Sequence, residues 1–332
     1  MNPVNSTKQR NRKASSRLGS FQTTLKRSVS LSGVGLHTGA TINMSLHPAP
    51  AGHGVSFIRT DLRERPVIRA DISSVVRTDM CTTLGLPQNL NASATVSTVE
   101  HLMAAVRGLG LDNALIEVSG PEVPIMDGSA LVFAAAIADA GIRVLDAPRK
   151  VLRLKGAVRV AYQDKWIEAR PSLSGLSITG TIDFKHRVIG CQAFTFDKET
   201  DFLSEIAAAR TFGFLKEVEY LRHKGLALGG SLANAVVLDE NTVLNEEGLR
   251  FADEFVRHKV LDAFGDFALM GIALEADVHL HKSGHELHAG LLNKIISEPE
   301  NYEIVELTAP SVAAEEKQAP NMGFGLGIAV PA

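Results

Sequence analysis

LKRSVSLSGVGL (residues 25–36), ATINMSLHP (40–48) and GVSFIRT (54–60) alternate polar and apolar side chains with a period of two. That period belongs to strands with one buried face, and the Gly and Pro residues between the segments mark turns. An antiparallel sheet is therefore expected at the start of the chain. Further on the pattern changes. A helix is expected from about Ser97 to Gly108, then a strand in NALIEVSG (113–120) and a buried helix in SALVFAAAIADAG (129–141). VLDAPRK (144–150) reads as a linker, because Pro148 stops what precedes it. Strands resume in KVLRLKG, AVRVAY, KWIEARP and LSITGTIDF between 150 and 184. Helices are expected near Phe202–Arg210 and Lys216–Lys224, a strand in AVVLD (235–239) and a long helix over Arg250–Glu275. A strand in VHLHKS (278–283) and a helix in HELHAGLLNKIIS (285–297) follow. Each half runs strands first and helices later, an α+β signature given twice. Beyond Glu298 the chain is rich in Pro, Ala and Gly and reads as a loose tail.

Composition narrows the function classes. A chain of 332 residues suggests two domains, and 45% hydrophobic with 21% charged residues is an ordinary globular composition. The longest apolar run, Ala130–Ala138, spans nine residues, half of what a bilayer requires, so no membrane span or stable insertion is expected. The first twenty residues hold Lys8, Arg10, Arg12, Lys13 and Arg17 without an acid or an apolar stretch. They read as a disordered basic arm, not a secretory signal. The whole chain is nevertheless at −3, so its body is net acidic, which argues against nucleic acid as a partner. Two cysteines, Cys81 and Cys191, exclude a disulfide framework and a thiolate-rich zinc site, and a reducing cytoplasmic location is expected. Any metal must be held by His and carboxylates.

Three segments carry candidate chemistry. In STVEHLMAAV (97–106), Ser97 and Glu100 have capping-box spacing, which gives Glu100 an ordinary structural role. A Glu next to a metal-ligating His101 is also placed to take a proton from an attacking water. In FVRHKVLDAFGDFALMG (255–271), His258, Asp262 and Asp266 fall at i, i+4 and i+8 and form one helical stripe. A solvated polar face would explain that stripe, except that the apolar residues around it leave little surface for water. Carboxylates on a buried helix must be paired, protonated or metal-bound. His258 and Asp262, one turn apart, can reach one ion, and His101 would complete a three-ligand site. In KSGHELHAG (282–290), His285 opens a helix, but His279, His281 and His288 lie close by and local pattern does not choose among them. Phe212 and Phe214 in ARTFGF (209–214) alternate on a short strand, a pattern more often found in a core than in a ligand platform. The Gly-rich turns GVGLHTG (33–39) and PEVPIMDGSA (121–130) match neither a P-loop nor a dinucleotide fingerprint.

Taken together, GVGLHTG, STVEHLMAAV, LDNALIEVSGPEVPIMDGSA, ARTFGF, GLALGGS, LNEEGLRFADEFVRHKVLDAFGD and KSGH, in that order, resemble the bacterial UDP-3-O-acyl-N-acetylglucosamine deacetylases, zinc amidohydrolases of lipid A biosynthesis. The resemblance covers about Thr23 to Ser297 and leaves out the arm and the tail, and FKHRVIGCQ (184–192) departs from its pattern. It implies two similar α+β domains, 21–147 and 148–298, packed helix layer to helix layer. A β-α-β insert near 211–231 would form an apolar passage for an acyl chain. Carried over residue by residue, it implies Zn2+ ligands at His101, His258 and Asp262, a general base at Glu100, and a second catalytic histidine at His285 paired with Asp266. Thr211 would help hold the oxyanion. Lys259 would position substrate, Lys165 would contact nucleotide phosphate, and Phe212 would lie against the uridine-sugar portion. The implied partner is a small molecule, an acylated UDP-sugar, and the protein is expected to be a monomer. Two rivals remain: another zinc amidase, or a non-catalytic binder of sugar nucleotide or lipid.

Overall fold

The computed structural model describes residues 19–86 and 94–308. The basic arm, apart from its last two residues, and the tail from 309 onward lie outside the described residues. The first half contains β1 (Phe21–Leu25), β2 (Val29–Val34), β3 (Thr41–Pro48), β4 (Val55–Arg59), β5 (Val67–Arg69), β6 (Val75–Arg77), β7 (Thr83–Gly85), β8 (Thr95–Val96), α1 (Glu100–Gly108), β9 (Ala114–Val118), α2 (Leu131–Ala140) and β10 (Ile142–Pro148). The second contains β11 (Lys150–Leu154), β12 (Val158–Tyr162), β13 (Lys165–Pro171), β14 (Ser177–Asp183), β15 (Cys191–Phe196), α3 (Phe202–Glu205), β16 (Phe212–Phe214), α4 (Leu215–His223), β17 (Val236–Leu238), α5 (Glu254–Phe267), β18 (Ala273–His281), α6 (His285–Ser297) and β19 (Tyr302–Glu306).

Period-two patterning produces the expected sheets. In β3, Ile42, Met44 and Leu46 are buried while Thr41 and Asn43 face solvent. β3 sits inside a five-stranded sheet ordered β2-β3-β9-β4-β5. In the second half β18 carries β13 along one edge and β11 followed by β14 along the other, within a seven-stranded sheet. Among the described residues no sheet closes into a barrel, and the mix of helices with largely antiparallel sheets makes the fold α+β. Helix α2 packs on β2, α5 on β14 and β15, and α6 on β12 and β13, while α1 packs against α5. The helices of the two halves thus face each other between the sheets, over one apolar core running through both. In α5 every residue but Arg257 and Lys259 is buried.

One glycine sets the spacing of the central helices. A Cβ at Gly265 of α5 would lie 2.0 Å from the Glu100 carbonyl oxygen of α1, so only hydrogen fits there. A β-α-β unit is present and runs past the expected limit of 231: β16 and β17 pair in parallel, Phe212 opposite Val236 and Phe214 opposite Leu238, with α4 between them.

Four expectations are corrected. The stretch read as a linker is largely strand β10, paired antiparallel with β1, and Pro148 is accommodated at its end. The helix expected over Phe202–Arg210 is one turn, Phe202–Glu205, capped by Asp201 Oδ1, which accepts from the Ser204 N–H at 2.9 Å. The long helix is shorter at both ends; it gives way to a 3-10 turn and then to Gly271, whose φ of +77° turns the chain into β18. The tail beyond Glu298 starts with a 3-10 turn, Pro299–Asn301, and continues into β19, antiparallel to β11.

Candidate active site

The crossing of α1 and α5 brings three predicted ligands together. His101 Nε2 lies 3.5 Å from Asp262 Oδ1, and His258 Nε2 lies 3.3 Å from the same oxygen. Ligand atoms about 2.0–2.2 Å from a tetrahedral ion stand roughly 3.3–3.6 Å apart. All three residues are buried, and among the described residues Asp262 Oδ1 has no hydrogen-bond partner. Buried polar atoms are normally satisfied, so an orphaned carboxylate oxygen aimed between two imidazoles fits a metal. The remaining bonds prepare the donors. His258 Nδ1–H donates to the Ala209 carbonyl at 3.1 Å, which leaves the Nε2 lone pair for a ligand bond. Burial pushes the His258 pKa down to about 3, so the ring is neutral at physiological pH. Burial opposes ionisation of Asp262, but His258 and the Lys259 ammonium, 3.0 Å from Oδ2, hold its carboxyl well below the usual range.

Glu100 does not act as a capping residue. The N-cap position of α1 is Val99, no side chain caps the helix, and Ser97 Oγ lies instead 3.0 Å from Thr83 Oγ1. The Glu100 carboxylate turns toward the cavity and accepts the Thr82 backbone N–H at 3.0 Å. Burial raises its pKa.

Asp266, one turn beyond Asp262, serves a second cluster. Its Oδ2 accepts from His285 Nδ1 at 2.7 Å and His288 Nδ1 at 2.8 Å, and its Oδ1 from Thr82 Oγ1 at 2.6 Å. These separations are hydrogen-bond lengths, too short for donors sharing an ion, so this trio is a proton network. Burial works against charge on His285, but Asp266 and Glu100 raise its pKa to about 9. Burial likewise opposes charge on Asp266, which His285 and His288 hold at about 2. His288, deeper, is lowered by burial.

Glu100, His101, Thr211, Phe212, His258, Lys259, Asp262 and His285 line one cavity of about 390 Å³. Its wall also includes the apolar residues Leu215, Val218, Leu221, Leu232 and Val237 from the β16–β17 unit. Asp266 stands behind His285. Lys165 does not line this cavity; it borders an adjoining pocket of about 180 Å³ with Phe184, Lys259 and Lys282. Lys282 is engaged by Asp164 and Asp183 at 3.1 and 2.9 Å.

The family model for UDP-3-O-acyl N-acetylglycosamine deacetylase matches residues 22–297. The chain belongs to this family. A Myxococcus xanthus UDP-3-O-acyl-N-acetylglucosamine deacetylase is 48% identical over 305 residues, which cover 92% of this chain and 93% of the relative. Deacetylases of the same name from Geobacter sp. and Shewanella violacea are 47% and 44% identical, covering 93% and 90% of this chain and 97% and 95% of their own.

Several residues in and behind the cavity wall escaped sequence reading. His288 sits three residues after His285, a visible helical spacing, but four histidines in ten residues hid which of them converge. The others do not: His279 pairs with Asp277, and His281 stacks on Trp166. Thr82, Cys81 and Met80 lie in no recognisable motif. Leu36 and His37 reach the cavity because the GVGLHTG turn is clamped by buried Glu122 of the second Gly-rich segment, which accepts the His37 and Thr38 N–H groups at 3.1 and 2.8 Å. Among the described residues, no helix is long and apolar enough to cross a membrane.

Proposed function

We propose that this chain hydrolyses the N-acetyl group of a UDP-3-O-acyl-N-acetylglucosamine in lipid A biosynthesis, releasing acetate and the free 2-amino sugar nucleotide. His101, His258 and Asp262 would hold a zinc ion. Bound there, the ion supplies Lewis acidity that polarises the acetamide carbonyl and makes water a better nucleophile at neutral pH. Glu100 takes the proton from that water as it attacks; its raised pKa keeps it a strong enough base to accept the proton and a strong enough acid to return it. Thr211 lines the same space, and its hydroxyl would offer a hydrogen bond to charge developing on the carbonyl oxygen. His285 is protonated at neutral pH, and with Nδ1–H given to Asp266 its Nε2–H is left for that oxygen or for the departing amine. Lys259 positions the substrate, and Phe212 packs against its uridine-sugar portion. Lys165, with Lys259 on the rim of the adjoining pocket, contacts the diphosphate. The insert's apolar wall takes the acyl chain.

The observation that carries this reading is the unpartnered Asp262 oxygen, within 3.5 Å of two imidazole nitrogens and next to Glu100 across the helix crossing. Acetate release from the acylated sugar nucleotide, with and without a chelator, tests it. Release abolished by chelation and restored by zinc is expected. Acetate release that persists in protein shown to be metal-free would overturn it, and absence of release from zinc-loaded protein would return the pocket to a binding role.

A further inference from the structure

Thr82 makes three contacts that no other described residue duplicates. Its backbone N–H donates to Glu100 Oε2 at 3.0 Å, and its hydroxyl donates to Asp266 Oδ1 at 2.6 Å. Its carbonyl accepts the Val99 N–H at 3.4 Å, at the residue where α1 begins. The side chain is 2% exposed, and it does not line the cavity. One residue ahead of β7 is thus bonded to a carboxylate on α1 and a carboxylate on α5, and these serve opposite steps of the proposed reaction. Glu100 handles the proton of the attacking water, while Asp266 orients the imidazolium that meets the oxyanion or the amine.

We infer that Thr82 is a positioning residue coupling the two proton-handling groups of the deacetylase site. The inference rests on the deacetylase reading above. Without the Thr82 hydroxyl, Asp266 Oδ1 has no donor among the described residues, while Oδ2 still carries both histidines. The carboxylate is then free to rotate, and the His285 ring turns with it. Nε2–H loses its aim at the reacting atoms, although the ion ligands one and two turns earlier along α5 keep their positions. Hydrogen-bond partners one shell out from a reacting group cost on the order of 10–100-fold in activity when removed.

The test uses Thr82→Val, which keeps shape and backbone N–H but removes the hydroxyl, and Thr82→Ser, which restores it. Thr82→Val should lower kcat for acetate release at least ~10-fold. Its KM should stay within about twofold and its zinc content should equal wild type. Thr82→Ser should recover most of kcat. In metal-free protein, the histidine Nδ1–H signals of His285 and His288 should shift in Thr82→Val and return in Thr82→Ser. This readout is independent of activity, so a failed assay on the wild-type enzyme, which would sink the deacetylase reading, is not confused with failure here. Thr82→Val with kcat within twofold of wild type, or with unmoved histidine signals, would overturn the coupling role. So would a kcat loss accompanied by zinc loss that Thr82→Ser does not rescue, since that result makes the residue merely structural.

Discussion

Asp262 and Glu100 sit on crossing helices with opposite assignments, and single substitutions separate them. Removing one of three protein ligands leaves an incomplete site, so His258→Ala should lose its zinc, measured as metal per chain after desalting. Glu100→Gln should keep zinc and lose on the order of 10²–10⁴ in rate, the range expected for a general base. A fully active Glu100→Gln would remove it from the chemistry. For His285 the sign is set by Asp266. A histidine raised to about 9 is protonated through neutrality, so activity that needs the imidazolium should fall as pH rises through about 9. Asp266→Asn should move that falling limb to lower pH with zinc retained, and His285→Ala should abolish it. The same raised pKa means that the stabilisation from this ion pair is complete below about 6.5 and fades as pH climbs through 9, which a Tm series across that interval reads directly. At this scale the sequence was legible wherever chemistry fixed spacing: His258 and Asp262 one turn apart could not avoid sharing a face. The contact of His101 with them, and the role of Thr82, depended on tertiary approach, which no spacing encodes.

The approach of the two helices has its own test. Gly265→Ala would ordinarily stabilise a helix by roughly 1 kcal/mol. Here the new methyl meets a backbone carbonyl at 2.0 Å, which cannot turn aside as a side chain would, and overpacking of this kind costs about 1–3 kcal/mol. The clash should win. A lower Tm is expected together with weaker zinc retention, because His101 is carried on the helix pushed away. An unchanged Tm with unchanged zinc would show that α1 can shift freely. Elements with a clean period, β3 or α6, were readable directly. The overlong helix was not, because β18 begins in the apolar run Ile272–Leu274, and a buried strand after a buried helix gives continuous hydrophobicity without a period to divide it.

For the whole molecule, the α+β class was visible in the order of strands and helices, but the completion of the second sheet by its last strand was not. β19 follows a Pro and exposes Ile304, so it read as tail, yet it supplies the antiparallel partner of β11 from Lys150 to Leu154. A chain ending at Ser297 should therefore be less stable by about 2 kcal/mol from the lost pairing and the burial of Tyr302. For a chain of this size that is a Tm lower by roughly 3 °C. It should also aggregate more readily through the bared edge of β11, detectable by light scattering on mild heating. Equal Tm and scattering for the two chains would return the segment to the status of a tail.

The proposed metal ligands are drawn from both halves, His101 from the first and His258 and Asp262 from the second. An ion held there would be a crosslink whose strength is set from outside the protein. Ligand binding stabilises by RT ln(1 + [L]/Kd), about 4.1 kcal/mol when free ion is a thousand times Kd and nothing when it is scarce. The cohesion of the two halves thereby becomes a function of metal supply: Tm should climb with the logarithm of free zinc in the wild type and stay flat in His258→Ala. Starvation for the ion would then do more than silence the enzyme, since it would lower the free energy separating the folded chain from forms open to proteolysis.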